Sequence, residues 1–160
     1  MAKKKKPQAK PAGVRISNRK AFHDYHIHEK VECGLVLEGT EVKSLREGQG
    51  KIDEAYARVL SGEVFLLGMT IPAYKQAADA MQHAPTRKRK LLLNRRQIRA
   101  LEIKTHQKGL TLVPLAVYFK KGWAKCELGI AEGKRNYDKR NALKEKQHKR
   151  DIARDLRGRY

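Results

Sequence analysis

Three histidines, His23, His26 and His28, stand in an HxxHxH spacing with Cys33 nearby. Imidazole and thiolate both ligate zinc, and a strand would turn His26 and His28 to one face. Structural zinc usually recruits several cysteines at short spacing, and Cys33 is the single one close by. These are therefore expected to be surface or partner-facing histidines, with no bound metal. Gly133-Lys134-Arg135 lacks the upstream glycine and the hydroxyl residue that a phosphate loop requires. GxGxxG and GxSxG are absent, and Glu38 and Glu41 have no spacing distinctive of paired acid–base carboxylates. No catalytic residue and no cofactor are expected.

The chemistry the chain does offer is neutralisation of a polyanion. It has 160 residues, 37 Lys and Arg against 17 Asp and Glu, and a net charge of +20. Such a surplus repels itself unless a partner neutralises it, and nucleic acid is the first candidate. A membrane surface would need an amphipathic helix with a large apolar face, and none is evident. The longest apolar run, 64–69, is far shorter than the roughly 20 residues of a spanning helix. The basic N-terminus has no apolar segment behind it, so no secretory signal is expected, and Cys33 and Cys126 read as buried thiols of a cytoplasmic protein.

The charge is segregated. Residues 1–20 carry eight basic and no acidic side chains, whereas 21–86 carry six against ten. Residues 87–99 add seven basic and none acidic, and 129–160 carry eleven against five. The polyanion should touch the arm, the 87–99 segment and the tail, while the acidic middle serves as scaffold.

Short elements must position these charges. Residues 1–13 lack periodicity and read as a flexible basic arm. Strand alternation begins at Tyr25, and Gly34 to Leu37 is a short buried run. A helical turn or two over 40–46 closes at Gly48. Strands at 55–60 and 63–69 are joined by Ser61-Gly62, a tight hairpin turn. Asn94 and Gln97 form a capping box for a helix over 94–108, with Leu93 and Ile98 at its staple positions and Gly109 at its end. In a strand over 110–119 Pro114 forces an edge or a bulge. After a turn at 120–122, a strand over 123–130 faces Ala124, Cys126, Leu128 and Ile130 one way and Lys125 outward. The fold class expected is mainly β: a small antiparallel barrel of OB-fold type over 14–130.

Residues 131–160 are helix-compatible but have no apolar stripe wide enough to bury. They read as a basic tail, disordered when free and helical in a phosphate-lined groove. With only six Tyr, three Phe and one Trp, RNA recognition should rest on phosphate and shape more than on base stacking, which suits structured RNA.

Five collinear stretches carry a resemblance. They are Asn18-Arg19-Lys20-Ala21, ECGLVLEGTEVKSLR from Glu32 to Arg46, PTRKRKLLLN from Pro85 to Asn94, TLVPL from Thr111 to Leu115, and LGIAEGKRNYDKR from Leu128 to Arg140. From about Asn18 to its end the sequence resembles the small protein B family of SsrA-binding proteins. Departures are mild: Arg19 and Lys88 replace other common residues, and Glu132 puts a carboxylate where many members have a small or basic residue.

The resemblance implies an OB-fold body that binds the tRNA-like domain of transfer-messenger RNA. The body would stand where a tRNA anticodon arm stands, at the decoding centre of the small subunit, with the tail in the empty mRNA channel of a stalled ribosome. It implies RNA contacts at Asn18, Lys20, His23, Glu32, Leu92 and Asn94. To these the basic clusters add Arg19, Arg87, Lys88, Arg89, Lys90 and Lys125. It implies a ribosome-binding tail motif at Gly133, Lys134, Asp138, Lys139 and Arg140, joined here by Arg135, Tyr137 and Lys144. Asp138 is expected to cap a helix that Lys139 begins. The protein is expected to be a monomer when free.

Plainer readings stand beside these. Glu32 reads equally as a surface carboxylate fixing a neighbouring cation, Leu92 as core, and Asn94 as a helix cap. Arg87, Arg89 and Lys90 have no comparable packing explanation, and with Lys125 they are expected to share one RNA-facing surface. The rival reading of the whole chain is a permanent structural protein of the ribosome.

Overall fold

In the computed structural model the described residues are 13–106 and 109–157. Residues 1–12 of the expected arm, residues 107–108 at the end of the expected helix, and 158–160 of the tail lie outside them. Turn chemistry and alternating burial divide the described chain into β1 (Arg15–Ser17), α1 (Arg19–Asp24), β2 (Tyr25–Leu35), α2 (Gly39–Arg46), β3 (Tyr56–Leu60), β4 (Glu63–Leu67), β5 (Arg89–Leu92), α3 (Arg95–His106), β6 (Leu110–Lys120), β7 (Trp123–Gly133) and α4 (Asn136–Arg157).

All strand pairings are antiparallel, in the order β1-β6-β3-β4-β5-β2-β7, and a β6–β7 pairing closes the circuit into a barrel. Closure removes the unpaired edges that a small open sheet would expose. The two hairpins turn where the sequence places them. Ser61 and Gly62 sit at φ 51° and 75°, and Lys121 and Gly122 at 50° and 82°. Two successive left-handed residues match the right-handed twist of the flanking strands. Pro114 is buried beside a register shift between Pro114 and Ala116. It occupies a bulge because it cannot donate to the ladder.

The core fills the barrel with Leu35, Leu45, Ile52, Val64, Leu66, Met69, Leu91, Leu112 and Leu128 among others. Cys33 and Cys126 face each other across β2 and β7, buried and unbridged. The Cys33 thiol donates to the Cys126 carbonyl at 3.2 Å. A smaller cluster of Ala21, Val113, Leu115 and Ala131 seats α1 on the outside of β6 and β7. Because Ala131 is buried and β7 runs to Gly133, the barrel extends three residues past the expected boundary at 130.

Helix α4 starts at Asn136, earlier than expected, so Asp138 lies in its first turn rather than at its cap. The Lys139 N–H closes that turn on the Arg135 carbonyl at 3.1 Å. The helix is continuous over 22 residues, most of them good helix formers. Leu143, Ile152 and Leu156 stay exposed, so no apolar face docks on the barrel. No helix among the described residues is long and apolar enough to cross a membrane.

Candidate nucleic-acid interface

The structure separates the nominated residues into surface groups and groups the fold has already used. Asn18 belongs to the second kind. It is fully buried. Its Oδ1 accepts from the Ala21 N–H at 2.8 Å, capping α1, and its Nδ2 donates to the Ile52 and Pro114 carbonyls, both at 3.0 Å. An RNA contact at Asn18 is therefore corrected to a clasp that joins three segments. Arg19 and Lys20, next along α1, are exposed.

His23 is half exposed, its Nδ1 2.9 Å from the Asp24 carboxylate. That bond, together with Lys139 at 3.3 Å, outweighs desolvation and holds Asp24 below its ordinary carboxylate range. His28 lies 3.2 Å from Glu132, and His26 lies 3.9 Å from Asp138. Each histidine thus faces its own carboxylate. Among the described residues no three His, Cys, Asp or Glu converge on a possible metal position.

The 87–90 segment is where the fold overturns the charge count. Glu41, fully buried on α2, caps its own helix by accepting the Glu38 N–H at 2.8 Å. It also receives Arg87 at 2.6 and 3.0 Å and Arg89 at 2.8 Å. Arg89 is itself fully buried, and its remaining donors reach the carbonyls of Met69, Pro85 and Arg87 at 2.6, 2.9 and 3.1 Å. Lys90 is paired with Glu63 across β4 and β5. Arg87, Arg89, Lys90 and Lys125 therefore do not form one free cationic surface. The partners Glu41 and Glu63 are distant in sequence, which is why the local absence of acid misled. One signal was available: Leu91 points inward on β5, so strand alternation places Arg89 inward and Leu92 outward. Lys88 remains exposed, its Nζ 5.3 Å from the Phe65 ring centre.

Burial raises the pKa of the Glu41 carboxyl, but the arginine hydrogen bonds, the Glu38 N–H and the two positive charges overcome this and hold it below its usual range. Burial pulls the Arg89 guanidinium down while Glu41 supports its charge.

On β2, Glu32 accepts from the Tyr118 hydroxyl at 2.5 Å and from Lys120 at 3.1 Å. Both bonds hold its carboxyl below the ordinary range. Its local role is thus to orient a tyrosine and a lysine.

Between these groups lies an apolar groove of about 500 Å³ lined by Val36, Leu37, Leu92, Phe119, Trp123 and Lys125, among others. Trp123 is 74% exposed and Leu92 54%. Leu92 sits tightly over β2 because Gly34 has no side chain: a Cβ there would lie 3.1 Å from the Leu92 Cβ. Half-buried Lys125 stands on the rim and adds positive field at Glu32. Sequence reasoning missed Val36, Phe119 and Trp123, because low aromatic content discounted stacking. The position of Trp123, directly after a tight turn, was the available signal. An exposed apolar surface flanked by cations is suited to covering unstacked bases while phosphates meet lysine.

Asn94, exposed just beyond Leu92, completes the expected capping box. It accepts the Gln97 N–H at 2.9 Å and its own N–H donates to the Gln97 side chain at 3.2 Å.

The tail leaves the barrel from Gly133 next to α1. The Lys134 N–H donates to the Asp24 carbonyl at 2.9 Å, its ammonium to the Phe22 carbonyl at 3.0 Å, and Lys139 reaches the Asp24 carboxylate. Arg135, just before the helix, and Tyr137, Arg140 and Lys144 along it are exposed.

Comparison with known proteins finds relatives over the whole chain. The family described as SmpB protein matches residues 15–158. SsrA-binding proteins of Staphylococcus aureus strains Newman and JH1 are each 48% identical over 160 residues, covering all of both chains. A chain in the solved structure "tmRNA-SmpB: a journey to the center of the bacterial ribosome" is 45% identical, with a TM-score of 0.66 over 82% of this chain and 95% of that one.

Proposed function

This chain belongs to the SmpB family, and on that premise we propose that it is a non-catalytic adaptor that binds the tRNA-like domain of transfer-messenger RNA and delivers it to stalled ribosomes for trans-translation. The body stands in for a tRNA anticodon arm, and the tail enters the empty mRNA channel; both partners place the work in the cytoplasm. On the body, Leu92, Asn94 and Lys125 contact the RNA with Arg19, Lys20, His23 and Lys88, while Glu32 acts by orienting Tyr118 and Lys120. On the tail, Lys134, Arg135, Asp138, Lys139, Arg140 and Lys144 serve the ribosome.

The observation that carries this reading is the division of the surface. The barrel presents a groove with an exposed tryptophan and a rim lysine, whereas α4 projects positive charge with no apolar face docked on the barrel. Such a helix gains its tertiary reason only where phosphates surround it. The test is a chain ending at Gly133, which keeps Ala131 in the barrel. Affinity for the isolated tRNA-like domain should stay within about twofold of the full chain, and peptide tagging on stalled ribosomes should be lost. Normal tagging without the tail, or a large loss of affinity for free RNA, would refute this division.

A further inference from the structure

With Arg87 and Arg89 neutralised by buried Glu41, and Lys90 paired with Glu63 at the surface, the positive charge of the 87–99 segment that remains free is Lys88 and the arginines of α3. Its buried side is set by Leu101, with Ile98 packed against the barrel core. At roughly 100° per residue, Arg95, Arg99, Ile103 and Arg96 fall within an arc of about 100° on the opposite side. All four are exposed, and Ile103, at 66%, lies at the C-terminal end of the stripe. None of the three arginines forms a salt bridge or side-chain hydrogen bond among the described residues. By contrast Lys104, toward the edge of this helix, reaches Glu29 at 2.6 Å. Arg95 and Arg99 are four residues apart and Arg96 and Arg99 three, spacings at which like charges repel on a helix. Glu102 flanks the stripe without pairing with it. Three arginines held against their own repulsion, with an exposed isoleucine one turn beyond Arg99, are matched to a polyanion, since guanidinium binds phosphate in a planar, two-point fashion.

Resting on the RNA-binding reading above, we infer that Arg95, Arg96 and Arg99 form a phosphate-contacting stripe on α3 that extends the body's surface for the tRNA-like domain. Continuity commits the stripe to that RNA. Arg95 and Arg96 follow directly on Asn94, and Leu92 of the groove lies just before it. An RNA covering Leu92 and Asn94 therefore meets this first helical turn at once. Ile103 extends the apolar surface two turns further.

The test uses the full-length chain with all three arginines replaced (Arg95→Gln, Arg96→Gln, Arg99→Gln), titrated with the isolated tRNA-like domain over a salt series. Removing one arginine–phosphate pair should reduce the slope of log K against log salt by about 0.7–0.9, so the triple variant should lower it by about 2–3. A triple Arg→Lys variant should keep the slope, because Lys retains the charge. A control with Lys146, Lys149 and Arg150 changed to Gln removes equal charge from α4 and should leave the slope for this RNA unchanged. Circular dichroism and melting temperature confirm that each variant is folded. An unchanged slope in the α3 variant overturns the inference, as does an equal reduction in the α4 control, which would mean that net charge alone is being read. If the wild-type chain shows no preference for the tRNA-like domain over an unrelated structured RNA, the RNA-binding reading itself fails, a result distinguishable from failure of the stripe alone.

Discussion

Replacing Glu41 by Gln distinguishes arginines that hold the fold from arginines that hold RNA. The Glu41 carboxylate receives two bonds from Arg87 and one from Arg89, at 2.6 to 3.0 Å, with the Glu41 and Arg89 side chains fully buried. Gln keeps the shape but loses the charge, and its amide turns two donors toward guanidinium groups that can only donate. Arg89 retains carbonyl acceptors at Met69, Pro85 and Arg87, so what it loses is neutralisation. Breaking a buried pair from one side costs about 3–5 kcal/mol. That is a large part of the roughly 5–15 kcal/mol that stabilises a domain. The melting temperature should fall by about 6–20 °C. Glu41's pKa is lower in the folded state than in the unfolded chain. Its stabilisation is therefore fully present above the unfolded carboxylate pKa of about 4.3 and is lost as pH falls through the folded value. Denaturation of wild type and Glu41→Gln across pH should show a constant gap near neutrality that narrows in acid. Arg87→Ala should likewise cost stability and leave the salt slope of RNA binding unchanged. A cost below about 1 kcal/mol for Glu41→Gln, or a slope reduced by about 0.7–0.9 in a folded Arg87→Ala variant, would refute the reasoning.

Asn18→Ala strands the Ala21 N–H and removes the Asn18 donor from the Pro114 and Ile52 carbonyls, of which Ile52 keeps the Ala55 N–H at 3.1 Å. At about 1–3 kcal/mol for each of the two buried groups that lose this bond without a replacement, chemical denaturation should register a loss of about 2–6 kcal/mol. RNA affinity measured where the variant is folded should stay within about twofold; a tenfold loss there would return Asn18 to the interface. For the histidines, each facing a separate carboxylate, chelation should leave the melting temperature unmoved, and elemental analysis finding about one metal per chain would revive the HxxHxH site.

The parts of this molecule that were legible in the sequence are those set by local backbone chemistry. Ser61-Gly62 and Lys121-Gly122 turn as they do because the left-handed conformation is a property of two adjacent residues. Asn94 caps α3 because its acceptor and the Gln97 side chain lie within one helical turn. Pro114 makes a bulge because a missing N–H has the same consequence in any strand that has neighbours. The excess of positive charge, and so a polyanionic partner, was likewise written in the composition. Which cations remain free to meet that partner was decided by tertiary structure alone. Arg87 and Arg89 find Glu41 across 46 and 48 residues, and Asn18 reaches Pro114 across 96. The groove brings together β2, the end of β5 and the β6–β7 turn, with Trp123 left outside. A charge carries no record in sequence of the opposite charge that folding will bring to it. The same basic run therefore divided into a buried clasp at Arg87 and Arg89 and an exposed face at Arg95, Arg96 and Arg99 only once the barrel closed.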